Sequence, residues 1–443
     1  MNKNDIFEID ITGTTDEGDG VGRAEGIVVF VPYALYGERV RVLIVKVMKN
    51  HAAGKLLEVI RPSELRIKSE CVHFYKCGGC SFQNVSYEGE LEFKRRKVED
   101  CLRKIGGLNI DVPPCVGSRN ISHYRNKAQL PVSADGIGMF ARHSHRVIDM
   151  DSCLIQDARC GRVISCVRGW MHDFGIEPYC EETDRGEIRH IYTRSGESGM
   201  MVCIVTKSAK LPHPDELVSR LRADVPNLCG VLQNINERKT NVVLGREFKT
   251  LWGNDNLTDR LGKFRFRLSP QSFYQVNREQ TERLYDIAAD FAALTGSEVV
   301  WDLYCGIGTI GQYLSEGAKK LVGIEIVGQA VENARENARL NGIENAEYHC
   351  GAAEEIAPKL LRKDKPDVII LDPPRKGCAQ SLLETAAAAG AGKIVYISCK
   401  PSTLARDLKI LGTLGYRTER VQPVDLFPRT AHVETVALLK KNK

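Results

Sequence analysis

Asp302-Leu303-Tyr304-Cys305-Gly306-Ile307-Gly308-Thr309-Ile310-Gly311 is the stretch that decides the fold. Its glycines follow the GxGxxG spacing between the apolar run Glu298–Leu303 and a helical pattern near Thr309–Ser315, the strand–turn–helix opening of a nucleotide-type binding unit. Outward from it, Leu321–Glu325 reads as the next strand and Val331–Asn341 as its helix, and Asp367–Asp372 and Lys393–Ser398 as two more buried strands. Strand and helix in alternation predict an α/β class, with a doubly wound, Rossmann-like sheet over residues 266–443.

The glycines let a ligand approach the backbone, and Glu325, 19 residues after Gly306, can accept hydrogen bonds from ribose hydroxyls. That chemistry suits NAD, FAD or S-adenosylmethionine (AdoMet) alike. Asp302 favours AdoMet, because a carboxylate there repels a pyrophosphate and attracts a sulfonium and an amino group. Asp372-Pro373-Pro374-Arg375 ends a later strand, on the side where such sheets hold their ligands. Asp372 there can bind an imide N–H or an amine of a base.

Ser398-Cys399-Lys400-Pro401 ends the next strand and opens a helix over Thr403–Leu411. A helix N-terminus favours a thiolate, so Cys399 reads as a nucleophile, whereas nothing excludes an inert core role for Cys203 or Cys305. A thiolate beside AdoMet has a specific use. Carbon 5 of uracil attacks a methyl group poorly until a thiolate adds to carbon 6 and makes an enolate, and a base must then remove the carbon 5 proton. Glu434, in Ala431-His432-Val433-Glu434-Thr435, is the candidate base, since burial in an apolar strand raises a carboxyl pKa; His432 is the alternative.

Upstream, residues 1–62 carry five short strand patterns between glycine-rich turns. They predict a small OB-like β-barrel, serving either nucleic-acid binding or packing. Residues 63–265 read as an α+β central domain. Its charged helix, from about Tyr87 to Ile105, is a solvated face or an RNA contact, and the 87–120 segment could instead pack on the catalytic domain. Cys71, Cys77 and Cys80 share a glycine-bearing loop and call for a metal. Cys153 is the best fourth ligand, with Cys160 and Cys115 as rivals; spacing leaves an iron–sulfur cluster and zinc both open. The chain has 443 residues, fifteen cysteines, a net charge of +5 and 43% hydrophobic residues. It has no apolar run of membrane-spanning length and no secretory pattern at its start, so the expectation is a cytoplasmic protein without membrane partners. The mild positive charge permits a polyanionic partner without requiring one.

Taken together, Ser272-Phe273-Tyr274-Gln275-Val276-Asn277, the Asp302–Gly308 turn, Asp372-Pro373-Pro374-Arg375, Ser398-Cys399-x-Pro401 and His432-Val433-Glu434 resemble the RNA uracil-C5 methyltransferase family, specifically its ribosomal branch, across essentially the whole chain. The resemblance implies AdoMet contacts at Gln275, Tyr304, Glu325 and Asp372, with Cys399 as nucleophile and Glu434 as proton acceptor. It implies a TRAM RNA-binding barrel at the N-terminus and a 4Fe–4S cluster on Cys71, Cys77, Cys80 and Cys153 that supports folding or RNA binding. His123-Tyr124-Arg125-Asn126-Lys127 resembles a substrate-side segment, which makes Arg125 and Lys127 phosphate-contact candidates. Lys400 departs from the family, where asparagine or aspartate is common. The transfer-RNA branch typically lacks both barrel and cluster, so the implied substrate is 23S ribosomal RNA and the role rRNA processing. The target uridine, in a loop or bulge, must be turned out of its stack.

Two rivals remain. A methyltransferase of exocyclic base nitrogens shares Asp372-Pro373-Pro374 but needs no nucleophile, so it would survive Cys399→Ser. A non-enzymatic RNA-binding iron–sulfur protein would transfer no label from AdoMet to any RNA.

Overall fold

The computed structural model describes residues 1–363 and 365–442. Five strands, Ile6–Thr14, Gly20–Ala24, Ile27–Val31, Arg39–Val47 and His51–Arg61, close into a barrel. Alternate residues such as Val29, Val31, Val40, Val42 and Ile44 fill its interior, as a period of two requires.

The helix Tyr87–Cys101 follows and runs on into a π-turn over Leu102–Gly106. Both pack on the helix Pro401–Thr413 of the catalytic domain, and Val98, Cys101 and Leu102 join the catalytic core. Lys94 belongs neither to a solvated face nor to an RNA contact, and its partners are those expected of a helix packed on the catalytic domain. Its ammonium is fully buried and bonds Glu90 at 2.7 Å and Asp425 at 2.6 Å, which fixes the helix to the catalytic domain. Arg96, Arg103 and Lys104 do lie on a solvated face, paired within the helix to Glu92 and Asp100. Lys97 bridges three parts of the chain, donating to the Asp16 carbonyl at 2.6 Å and the Ala431 carbonyl at 2.9 Å.

The central domain is built on a seven-stranded sheet in the order 247–253, 228–235, 199–206, 188–196, 127–133, 136–140, 147–149. The run Met200–Val205 is buried on both faces. Met200, Val202 and Ile204 meet the helices Cys160–Asp173 and Pro214–Asp224. Met201, Cys203 and Val205 face the other way, into a core shared with the catalytic domain. The hairpin Leu257–Leu261/Phe264–Leu268 belongs to that shared core. A boundary at 265/266 therefore falls within a paired hairpin that packs on both domains.

The catalytic sheet has the strand order 346–350, 320–325, 299–303, 368–371, 393–398, 434–441, 416–424. Its first five strands are parallel, and Glu434–Lys441 runs antiparallel to both of its neighbours. The strand Ala346–Cys350 and the helix Gln380–Ala389 complete the alternation. Among the described residues no helix is long and apolar enough to cross a membrane.

Candidate active site

Because the strands ending at Leu303, Glu325, Leu371 and Ser398 are parallel, Tyr304, Glu325, Asp372 and Cys399 all emerge at one edge of the sheet. The reversed strand adds a residue that a purely parallel sheet could not. Ser398 pairs with Thr435, so Cys399 comes to lie beside Glu434, the first residue of the strand running the other way.

The glycine turn is held by its own acids. The N–H of Gly306 donates to Glu325 Oε2 at 3.1 Å and that of Val327 to Oε1 at 2.8 Å, so Glu325 shapes the turn as well as facing the ligand side. Gly306 has φ +55°, and a Cβ there would meet no atom within 4 Å, which leaves open space along the turn. Asp302 accepts from the Gly311 N–H at 3.0 Å through Oδ2, while its Oδ1 is buried without a partner. Burial, with Asp372 and Glu325 nearby, raises the Asp302 carboxyl to about 7. Tyr304 takes a left-handed φ of +73°, and its phenol lies beside the Cys378 thiol. Gln275 is buried, and its backbone carbonyl accepts from Asn126 Nδ2 at 3.0 Å. It precedes the helix Arg278–Ala292, capped by Asn277, which packs on the strands carrying Ser398 and Glu434.

The Asp372 loop is clamped to the helix after Cys399. The Cys378 N–H donates to Asp407 Oδ2 at 2.9 Å, and the Thr403 hydroxyl to the Arg375 carbonyl at 3.3 Å. Gly377, at φ +76°, has room for no side chain, since a Cβ would stand 2.6 Å from that same Asp407 oxygen. Burial raises Asp372 to about 7. Burial and then the Asp372 charge raise Glu434, only 2% exposed, to about 8, with Arg375 opposing them.

Cys399 corrects one expectation. Its thiol is pushed up to about 11 by burial and by the charges of Glu434 and Asp372. It stands one residue before the helix cap, Lys400, and Lys400 is exposed. Desolvation and two neighbouring acids outweigh the helix terminus. Arg375 is the cation that opposes them, and sequence reasoning gave it no separate role. The motif itself was the only signal. His432, held neutral by burial and nearby cations, falls to about 4 and lies 3.5 Å from Arg375 Nη2. That makes it a weaker base than Glu434.

Cys399 opens into a groove of about 850 Å³ whose walls include Arg375, Lys400, His432 and the segment Met139–His145. Behind it, Cys71, Cys77, Cys80 and Cys153 all line a second cavity of about 230 Å³, which shares Arg375 and His432 with the groove. Burial raises the thiols of Cys71, Cys77 and Cys80, the last to about 12, and Cys153 adds to each. Of the rival ligands, Cys160 bonds Thr193 and Cys115 sits in the catalytic core. Among the described residues no three His, Cys, Asp or Glu side chains are grouped so as to hold a metal ion; the four thiols surround a space. Arg125 lines the cysteine cavity and has its Nε buried without a partner. Lys127 is half-buried in a strand, and burial with Arg194 and Arg125 lowers it to about 8. Neither is a freely solvated surface cation.

Comparison with known proteins matches residues 230–442 to the tRNA (uracil-5-)-methyltransferase family and residues 2–57 to the TRAM domain. A Clostridium tetani protein described as an RNA methyltransferase is 46% identical over 446 residues, covering 99% of this chain and 97% of its own length. A similarly described protein of Halalkalibacterium halodurans is 43% identical over 448 residues, covering 99% and 98%. Among solved structures, the Pyrococcus abyssi tRNA (uracil-54, C5)-methyltransferase with S-adenosyl-L-homocysteine superposes with a TM-score of 0.81 at 29% identity, covering 98% of this chain and 100% of that one.

Proposed function

We propose, from the premise that this chain belongs to the AdoMet-dependent RNA uracil-5-methyltransferase family with a TRAM domain, that it methylates carbon 5 of a uridine in 23S ribosomal RNA, with Cys399 as nucleophile and Glu434 as base. The observation that carries this reading is the register of the reversed strand, which sets Glu434 beside Cys399.

AdoMet, when bound, supplies an electrophilic methyl group. The residues present suit a cationic ligand: Asp302 has an unpartnered buried oxygen, and Asp302, Asp372 and Glu434 are acids whose ionisation is held back by burial. Gln275, Tyr304, Glu325 and Asp372 are the residues that would hold it. A uridine turned out of its stack enters the groove. The Cys399 thiol gives its proton to solvent in the groove, with Arg375 lowering the cost of the thiolate, and its sulfur bonds carbon 6. The carbon 5–carbon 6 electron pair moves towards O4, so that carbon 5 becomes the nucleophile. Once carbon 5 is methylated, the Glu434 carboxylate takes its proton. The double bond re-forms and the thiolate leaves.

The four thiols around one cavity support a 4Fe–4S cluster on Cys71, Cys77, Cys80 and Cys153. A zinc ion needs thiolates converging at about 2.3 Å on one point, whereas a cluster needs them around a volume.

The cysteine loop is the feature that favours ribosomal RNA. A transfer-RNA substrate is the second reading, because the archaeal enzyme aligned over 98% of this chain is a tRNA methyltransferase, so the barrel alone does not discriminate. The test is to map 5-methyluridine in 23S ribosomal and transfer RNA from cells with and without the gene. Methyl transfer from tritiated AdoMet to both RNAs, with Cys399→Ser as control, completes it. Loss of a methyl mark in 23S RNA is expected; loss only in transfer RNA moves the substrate, and no loss in either sinks the reading.

A further inference from the structure

One wall of the Cys399 groove has no part in the chemistry above. It is the tip of the hairpin formed by Gly136–Phe140 and Val147–Asp149. Phe140 is 39% exposed there. Its ring lies 5.6 Å, centroid to centroid, from that of the exposed His145, with the planes tilted by 32°. The tip is fixed from two sides. The Gly78 N–H donates to the Phe140 carbonyl at 2.9 Å, and Cys77 pairs with Ala141. The Arg142 guanidinium grips both carboxylate oxygens of Asp19, in the barrel, at 2.6 and 3.0 Å. A Cβ on Gly78 would come within 3.0 Å of the Arg142 Cα, so the contact depends on glycine.

An aromatic pair held rigidly in a groove and left partly bare has its stacking face unused. Turning a uridine out of its stack leaves the neighbouring base with one face uncovered. We propose that Phe140 and His145 form a stacking platform for the nucleotide flanking the target uridine, held in place by the cysteine loop and by the Arg142–Asp19 pair. The platform covers the face that the departing uridine exposes. It is sequence-tolerant, since every base presents a π-face. This inference rests on the RNA reading above.

The experiment compares wild type, Phe140→Ala, Phe140→Tyr and His145→Ala. Binding is read by fluorescence anisotropy with fluorescein-labelled transcripts of 23S ribosomal RNA and of transfer RNA, and turnover by tritium transfer from AdoMet to the same transcripts. Phe140→Ala should raise Kd and KM by about 10- to 100-fold, with a smaller change in kcat and an unchanged thermal midpoint. Phe140→Tyr should stay within about three-fold of wild type, because it keeps the ring. His145→Ala should give a smaller loss than Phe140→Ala. Unchanged Kd and KM in Phe140→Ala overturn the platform, as does an equal loss in Phe140→Tyr. If wild type transfers no methyl group to either RNA, the functional reading fails, and binding still judges the platform; binding to neither RNA removes both.

Discussion

Replacing Glu434 by glutamine tests burial and chemistry with one change. The Glu434 carboxyl is raised from its ordinary 4.5 to about 8. Between those values the folded protein holds a proton that the unfolded chain has lost, so the wild type loses stability as pH rises through that window. Below 4.5 both states are protonated and the effect vanishes; above 8 it is complete. At about 1.4 kcal/mol for each pH unit between them, the full effect is about 5 kcal/mol. Glutamine keeps the shape without the ionisation, but its amide brings donors that need partners, at roughly 1–3 kcal/mol if they find none. A net advantage of about 2–4 kcal/mol is therefore expected above pH 8, shrinking to nothing or reversing near pH 4. The assay is the difference in thermal midpoint between variant and wild type at pH 5, 7 and 9, which should widen steadily in favour of the variant. The same substitution removes the acceptor of the carbon 5 proton, so the adduct between Cys399 and RNA should form and persist as a band on a denaturing gel. A midpoint difference flat across pH would refute the buried acid, and turnover near the wild-type rate would refute the base.

Removing the positive charge in Arg375→Ala should raise the Cys399 thiol further above its value of about 11. The pH profile of adduct formation should then move to higher pH while AdoMet affinity, read by calorimetry, changes little; an unmoved profile would remove Arg375 from the site. Cys153→Ser and Cys77→Ala should each lower bound iron and acid-labile sulfide in anaerobically purified protein. Wild type with zinc and no iron would replace the cluster with a zinc site, and iron retained at the wild-type level in Cys153→Ser would assign the fourth ligand elsewhere.

Local patterns carried much of the fold. The strand ending in Asp302, the turn after it and the helix over Thr309–Leu314 follow from apolar runs and glycines a few residues apart. So do the barrel strands and the placement of Cys399 between a strand and a helix. What resisted reading was non-local. The direction of the Cys399 pKa depends on burial and on Glu434 and Asp372, which arrive from other strands. Lys94 looked like one more surface charge until Asp425, 331 residues away, closed on it at 2.6 Å. The hairpin tip facing Cys399 carries no motif at all, and only the packing of barrel, cysteine loop and catalytic sheet brings it there.

The reversed strand explains why the proposed base comes from so late in the chain. In a parallel sheet the ligand edge receives only residues that follow strands, and those loops also have to shape the cofactor site, as Glu325 does with both of its oxygens. An antiparallel strand beside Lys393–Ser398 presents its first residue at that edge instead. Its backbone is fixed by two neighbours, Ser398 pairing with Thr435 and Val424 with Glu434, so the carboxyl is held by sheet rather than by loop. A base that must reach one proton on one face of a ring gains from that rigidity. The segment leading into the strand, Ala431-His432, also lines the groove, and His432 lines the cysteine cavity as well. His432 therefore stands between the proposed cluster site and Glu434, two residues on, and Cys153→Ser should slow adduct resolution even where adduct formation is preserved; resolution at the wild-type rate would refute the link.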